Sequence, residues 1–244
     1  MSRRSPAPAT SPAEPVSLAP GSEATVSEAT VSIATGLPRP TWRGRVHSWA
    51  FFASIPAAMT LVVLAEGAKT KVAVIIYGLS LMAVFGVSAA YHRLAHSDAA
   101  QRRMQRLDHS TIYVMIAGTY TPVCLLALPP AWGISALAVV WTCAVAGIVL
   151  KLVGPDRWMR WSNGFYPVLG WAALVLTPVL IRSLTGPELW LLVFGGALYT
   201  VGALVFLRRR PDPRPQVFGY HEIWHAFTVA AGLSHFAMVT LVTI

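Results

Sequence analysis

The fold is decided by residues 109–150, which read HSTIYVMIAGTYTPVCLLALPPAWGISALAVVWTCAVAGIVL and contain no lysine, arginine, aspartate or glutamate. A helix of about 20 residues crosses the ~30 Å hydrocarbon core of a bilayer. The stretch is therefore long enough for two crossings, and Pro129 and Pro130 near its middle separate them. It predicts two consecutive transmembrane helices.

Similar uncharged runs occupy most of the chain after residue 45. They are 46–65, 72–92, 161–181, 189–207 and 223–244. Lipid offers the backbone no hydrogen-bond partner, and none of these runs alternates polar and apolar residues as a barrel strand does. Each run is therefore predicted to be a helix. The sequence predicts an all-α, integral membrane bundle of seven transmembrane helices over residues 42–244.

The composition of the whole chain agrees with a multi-pass protein of a cell membrane. Of its 244 residues, 55% are hydrophobic and 12% are charged, about half the charged fraction of a typical soluble domain. The 19 lysines and arginines outnumber 10 acidic residues. In so apolar a chain this excess indicates positive charge at one membrane face rather than nucleic-acid binding.

The basic residues are unevenly divided between the two sets of predicted loops. If the N-terminus is cytoplasmic, only Lys69, Lys71 and Arg182 of the 19 lie in the outer turns. The other 16, among them Lys151 in the loop between the fourth and fifth spans, lie on the cytoplasmic side. This asymmetry predicts a cytoplasmic N-terminus and a C-terminus outside, with most arginines acting as orientation signals and lipid-headgroup contacts. Residues 1–41, rich in proline, alanine and serine, are predicted to be a disordered cytoplasmic tail.

A few polar side chains lie at the ends of the predicted spans, where ionisable groups are candidates for function. His92 closes the second span, with Ser88 one turn earlier, and Asp108 precedes the third. His221 and His225 open the seventh. In the predicted topology all these ends are cytoplasmic. The five residues are therefore expected at one depth of the bundle.

The spacing of His221 and His225 indicates a metal site. Residues four apart share one face of a helix, and two imidazoles at that spacing can bind one divalent cation. His92 is the best candidate for a third ligand, and three neutral imidazoles with a water form a catalytic zinc site. We expect Asp108 to orient or deprotonate that water, or to fix an imidazole tautomer. Ser88 could hydrogen-bond the water or a substrate oxygen.

Other interpretations of these polar residues are open. The five could form a structural network or a proton relay. A serine triad of Ser88, His92 and Asp108 would leave two histidines without a role. A retinal protein needs a lysine in its last helix, where this chain has none.

Three further histidines are interpreted as structural. His47 and His96 are expected to place their rings among the lipid headgroups. His235 lies about 15 Å along the helix from His225 and is expected to be a packing residue. Glu222 is about 100° around the helix from its neighbouring histidine, which does not support a general-base role.

Three ordered motifs resemble those of a known family. They are Ser88-Ala-Ala-Tyr-His92-Arg, Leu107-Asp-His-Ser-Thr-Ile-Tyr-Val-Met-Ile-Ala-Gly-Thr-Tyr-Thr-Pro122, and His221-Glu-Ile-Trp-His225 followed by Leu233-Ser-His-Phe236. With seven spans over residues 42–244, they closely resemble the haemolysin III family, the bacterial branch of the progestin and adiponectin receptor group. The resemblance implies a seven-helix fold with the N-terminus inside, in the bacterial plasma membrane.

The resemblance also implies a site. Three histidines that hold zinc in the receptor relatives match His92, His221 and His225, and an aspartate that binds the metal-associated water matches Asp108. The serine of the same pattern matches Ser88. Ahead of the first helix the chain departs from many relatives, because Trp42-Arg-Gly-Arg-Val-His47 lacks their acidic residue and asparagine. A role of that segment in substrate or partner contact is left open.

Related ceramidase-like proteins suggest the activity, a zinc-dependent hydrolysis of a lipid amide or ester. Zinc would polarise the carbonyl, Asp108 would transfer the proton, and Ser88 would donate to the developing oxyanion. A second hypothesis is a non-catalytic membrane-homeostasis or receptor-like protein with structural zinc. A third is the cytolytic activity in the family name. The expected partners are membrane lipids, including a lipid substrate, and not nucleic acid.

Overall fold

A computed structural model of the chain describes residues 39–244. In this part of the chain seven helices are long and apolar enough to cross a membrane. In chain order they are α1 (Arg45–Leu64), α2 (Gly67–Leu94), α3 (Asp98–Ala127), α4 (Pro130–Leu152), α5 (Ser162–Ser183), α6 (Gly186–Arg208) and α7 (Tyr220–Thr243). The predicted all-α bundle of seven spans is confirmed, and its orientation in the membrane stays a prediction.

Prolines determine where the central helices end and begin. Pro122 has no backbone N–H to donate, and the chain after it forms a π-helical turn, Val123–Ala127. Pro129 has an extended backbone, and Pro130 takes the first position of α4. A proline there lacks only an N–H that would have no helical partner. The break predicted within residues 109–150 lies at these two prolines.

The span α5 is built from short segments. Its α-helical turns, Phe165–Trp171 and Thr177–Ser183, alternate with 3₁₀ turns, Ser162–Gly164 and Ala172–Leu176. Pro178 removes an N–H that a continuous helix would bond to the preceding turn. A short helix, Asp156–Trp161, leads into this span.

The helix α3 lies at the centre of the bundle. In its most apolar window 61% of the residues are buried, against 11% in α6. A Cβ atom at Gly118 would lie 2.1 Å from Ser80 Oγ, and one at Gly147 would lie 2.4 Å from the Tyr113 ring. These glycines therefore allow α2 and α4 to pack directly against α3.

The start of α3 corrects one prediction, because the helix begins at Asp98, eleven residues before the predicted run at 109. Ser97 caps it by accepting a hydrogen bond from the Ala100 N–H at 3.3 Å. The added turns carry exposed arginines at 102 and 103. The apolar run marks the part of the helix suited to lipid and not its first residue. Asp108 consequently lies inside α3 rather than at its start.

Lys151 corrects a second prediction. It was expected to be a loop cation at the membrane surface, but it lies within α4 and is completely buried. Its Nζ donates to Asn163 Oδ1 at 2.5 Å and lies 5.1 Å from the centre of the Tyr166 ring. Contacts with side chains of the protein therefore stabilise the charge of this ammonium group.

The predicted disordered tail, residues 1–41, lies outside the described residues up to position 38. Residues 39–41 are described and contact the bundle. Arg39 hydrogen-bonds to the end of α2, and the Thr41 N–H donates to the Gln216 carbonyl at 3.1 Å. The contacts of the bundle thus extend at least to Arg39.

Candidate metal centre

Three histidines meet where the end of α2 faces the start of α7. His92 lies two residues before the end of α2, and His221 and His225 lie in the first two turns of α7. Their ring centroids are 4.7–5.0 Å apart, and one ring nitrogen of each lies within 4.8 Å of the others. We call these three residues the histidine cluster. The structure thus brings together three of the five residues that the sequence predicts at one end of the bundle.

The histidine cluster has the chemistry of a metal site. His92 and His225 are buried, and His92 Nε2 has no hydrogen-bond partner among the described residues. A buried nitrogen without a partner costs free energy, whereas a bound metal ion would use its lone pair. Imidazole suits zinc, copper, iron and nickel. The three histidines could therefore hold one metal ion.

Ser88 and Asp108 form a polar pair on the neighbouring helices. Ser88 is buried and lies one turn before His92 on the same face of α2. Its side chain is the hydrogen-bonding neighbour of the Asp108 carboxyl on α3. Within residues 39–244, Asp108 is outside the group whose ligand atoms lie within 4.8 Å of one another. The carboxyl is therefore not needed to complete the histidine cluster.

His47 is a fourth histidine at this site, and its predicted place among the lipid headgroups is wrong. Only 4% of its surface is exposed. Its ring stacks on His225, with centroids 3.9 Å apart and planes at 15°, and Phe85 packs against it at 5.2 Å. Sequence reasoning missed this contact because the rotation of α1 relative to α7 decides it.

Glu222 stabilises the start of α7. Its Oε2 accepts a hydrogen bond from the Gly219 N–H at 2.9 Å, which caps the helix. Its Oε1 accepts from Arg43 Nε at 2.5 Å. With 2% of its surface exposed and both oxygens engaged, this carboxylate is unsuited to act as a general base, as expected.

Arg39 and Arg43 are exceptions to the interpretation of most arginines as lipid-headgroup contacts, which stays a prediction for the others. Arg43 pairs with Glu222, while Arg39 donates to the carbonyls of His92 at 2.9 Å and Ala95 at 2.8 Å. Burial lowers the pKa of Arg39 below its ordinary value; Tyr91 opposes this effect and Arg43 adds to it. The signal that could have found Arg43 is Glu222, since a carboxylate at the start of a predicted span needs a cationic partner when it is buried.

His96 and His235 also lie outside the histidine cluster. His96 is exposed in the turn between α2 and α3. His235 Nε2 lies 3.2 Å from the Leu192 carbonyl, and a Cβ atom at Gly195 would lie 2.4 Å from its ring. His235 thus packs between α6 and α7, as expected of a structural residue.

A family model described as haemolysin-III related matches residues 35–236. This chain belongs to the haemolysin III family. Within that family, Hemolysin-3 of Bacillus cereus is 35% identical over 196 residues, which cover 79% of this chain and 86% of that protein. The Hemolysin-3 homolog of Bacillus subtilis (strain 168) is 33% identical over 196 residues, covering 79% and 89%.

A more distant similarity extends beyond the bacterial haemolysin III proteins. The human protein named Monocyte to macrophage differentiation factor is 25% identical over 195 residues, which cover 78% of each chain. The seven apolar helices and the Bacillus relatives indicate that this haemolysin III protein is a multi-pass protein of the bacterial plasma membrane. The family resemblance inferred from the three motifs is thus confirmed.

Proposed function

We propose that this haemolysin III protein is a zinc-dependent integral membrane hydrolase of a lipid amide or ester. One observation carries the proposal: the polar pair of Ser88 and Asp108 lies on the helices that border the histidine cluster. Three histidines alone would equally suit a structural metal. A carboxyl and a hydroxyl beside them supply the proton transfer and oxyanion contact that hydrolysis requires.

Zinc is the ion that we propose for the cluster. His92, His221 and His225 would hold the ion, and three neutral imidazoles are a ligand set of catalytic zinc sites. Zinc held there would supply Lewis-acid chemistry, polarising a carbonyl and activating a water. The fit rests on the convergence of the three rings and on the unpaired His92 Nε2 among the described residues.

Asp108 is the proposed general base and acid. Its carboxylate takes a proton from the attacking water as the water oxygen bonds to the carbonyl carbon. It returns that proton to the leaving nitrogen or oxygen as the C–N or C–O bond breaks, which yields a fatty acid and an amine or alcohol. Ser88 holds Asp108 in the free protein and, with substrate bound, donates to the developing negative charge on the carbonyl oxygen.

A lipid is the proposed substrate because of where the site lies. The histidines are carried by helices suited to cross a bilayer, and the outer faces of the bundle expose apolar side chains such as Val63 and Leu207. A molecule with acyl chains is already concentrated in that environment. The orientation that we propose, with the N-terminus cytoplasmic, puts the site at the cytoplasmic end of the bundle.

The test is the release of fatty acid from a panel of ceramides and phospholipids by zinc-loaded protein in nanodiscs. We expect wild type to cleave at least one lipid, and Asp108→Asn to lower the rate by about 100-fold or more. Ser88→Ala should lower it by about 100–1,000-fold. Asp98→Asn, which changes an exposed aspartate at the start of the same helix, is the matched control and should leave the rate unchanged.

Two outcomes would favour the other hypotheses. Wild-type protein that retains zinc but cleaves none of these lipids would contradict the hydrolase and favour a receptor-like protein with structural zinc. The names of the relatives, Hemolysin-3 and Monocyte to macrophage differentiation factor, make cytolysis and signalling the alternatives. Lysis of erythrocytes by both wild type and Asp108→Asn, without fatty-acid release, would favour cytolysis.

A further inference from the structure

The histidine cluster is supplied by two helix ends that are far apart in the chain. His92 lies two residues before the end of α2, and His221 is the second residue of α7. Helix ends fray more easily than helix interiors, because their terminal backbone groups lack helical partners. A metal site at two such ends needs a further element that fixes one end against the other.

The N-terminal segment, which we define as residues 39–48, holds the end of α2. Arg39 donates from Nη1 to the His92 carbonyl and from Nη2 to the Ala95 carbonyl. His92 lies in the last turn of α2, where carbonyls lack helical donors, and Ala95 is the residue that follows the helix. Gly44 has φ +77°, and a Cβ atom there would lie 2.8 Å from His92 Cβ. The backbone of the segment therefore lies directly on the first ligand.

The same segment also holds the start of α7. Arg43 Nε donates to Glu222 Oε1 at 2.5 Å, and Glu222 is the residue after His221. The N–H groups of Thr41 and Trp42 donate to the carbonyls of Gln216 and Val217, at 3.1 and 3.2 Å, just before α7. The guanidinium that holds α2 and the guanidinium that holds α7 thus belong to residues only four positions apart in the chain.

Charge adds a second reason for the pairing of Arg43 with Glu222. The positive charge of Arg43 acts on all three histidines of the cluster. A cation so near the histidine cluster would repel a divalent ion bound there, and the carboxylate of Glu222 offsets that repulsion. Side chains that orient metal ligands without touching the metal typically alter metal affinity by about 10–100-fold when they are replaced.

We propose that Arg43 and Glu222 are positioning residues of the metal centre, whose ion pair, together with Arg39, fixes His92 against His221 and His225. The proposal rests on the proposed metal site. It adds a role for the N-terminal segment, which lacks the acidic residue and the asparagine that many relatives have there. Arg43 and Glu222 act through the histidines and do not touch the substrate. Their loss should shorten the time for which a bound ion is retained.

The experiment measures how fast zinc-loaded protein in nanodiscs releases zinc to an excess of a chromogenic chelator. We expect Arg43→Met and Glu222→Gln to release zinc at least about ten-fold faster than wild type. Arg43→Lys keeps the charge and should stay within about three-fold. Arg45→Met makes the same chemical change at an exposed arginine two residues away and should release zinc at the wild-type rate.

The outcomes separate this proposal from the proposed function. Glu222→Gln keeps an oxygen for the Gly219 N–H, so its fold is expected to survive, and its thermal unfolding provides the check. Equal release rates for wild type, Arg43→Met and Glu222→Gln would overturn the positioning role while leaving the metal centre intact. Wild type that retains no zinc would overturn both proposals. Faster release in both variants supports the positioning role, whatever the lipid assay shows.

Discussion

The histidine cluster and a second buried polar group of the bundle differ in how their hydrogen bonds are satisfied. The second group, which we call the lysine cluster, lies between α3, α4 and α5 and contains Lys151, Asn163, Tyr113 and Tyr166. Lys151 Nζ donates to Asn163 Oδ1, the Tyr113 hydroxyl donates to the Ser162 carbonyl at 2.6 Å, and the Tyr166 hydroxyl also has a carbonyl acceptor, at 2.9 Å. Each of these donors has a partner within the protein.

The histidine cluster shows the opposite arrangement. His92 Nε2 has no partner among the described residues, and three imidazoles approach one another at a point where none donates to another. Buried polar groups in folded proteins are nearly always paired, so an exception requires an explanation. The comparison indicates that the lysine cluster stabilises the bundle, whereas the three imidazoles of the histidine cluster could hold a metal ion.

Removal of metal should lower the stability of the protein more than either substitution described below. A ligand that binds only the folded state adds about 3–4 kcal/mol when it is present at 100–1,000 times its Kd. We expect a strong chelator to lower the Tm of wild type by roughly 6–16 °C. The variant that carries both His92→Ala and His225→Ala should show no chelator effect. An equal decrease in both proteins would mean that the chelator acts elsewhere.

Replacement of Lys151 should give the next largest effect, and on stability alone. Lys151→Met keeps the length of the side chain but removes a charge-assisted hydrogen bond and a cation–π contact. We expect the free energy of unfolding to fall by roughly 1–2 kcal/mol, read from thermal unfolding in detergent. Zinc content should stay at the wild-type value. Loss of zinc in this variant would break the distinction between the two clusters.

Replacement of His47 should have the smallest effect on zinc content and stability. His47→Phe keeps an aromatic ring against His225 but removes both ring nitrogens. Because we interpret the stack with His225 as packing, we expect zinc content and Tm within error of wild type. The check is elemental analysis beside thermal unfolding. A clear loss of zinc would instead make His47 a ligand and enlarge the centre to four histidines.

The sequence predicted the histidine cluster because its signals are local or follow from topology. The spacing of His221 and His225 is set by helix geometry, and the distribution of basic residues placed His92 at the same end of the bundle. The same reasoning located the seven spans, since lipid permits few alternatives to a helix. Asp108 and Ser88 were expected near each other only because both lie at the same predicted depth of the bundle. Their catalytic roles stay predictions.

The surroundings of the cluster could not be predicted, because they depend on how helices rotate and where loops return. Arg43 and His47 precede or begin α1, and no periodicity in the sequence connects them to α7. Lys151 was counted with loop charges because a cation at the end of an apolar run usually reaches water. The early start of α3 was missed for a related reason, since hydropathy detects the lipid-facing part of a helix and not its cap.

The most direct test of the central claim is the metal content of purified protein, measured by elemental analysis of wild type, His92→Ala, His225→Ala and His235→Ala. The last variant is the matched control, because it removes a histidine outside the cluster. We predict about one zinc per chain in wild type and His235→Ala, and almost none in the other two. An equal metal content in all four proteins would contradict the assignment of a metal centre to His92, His221 and His225.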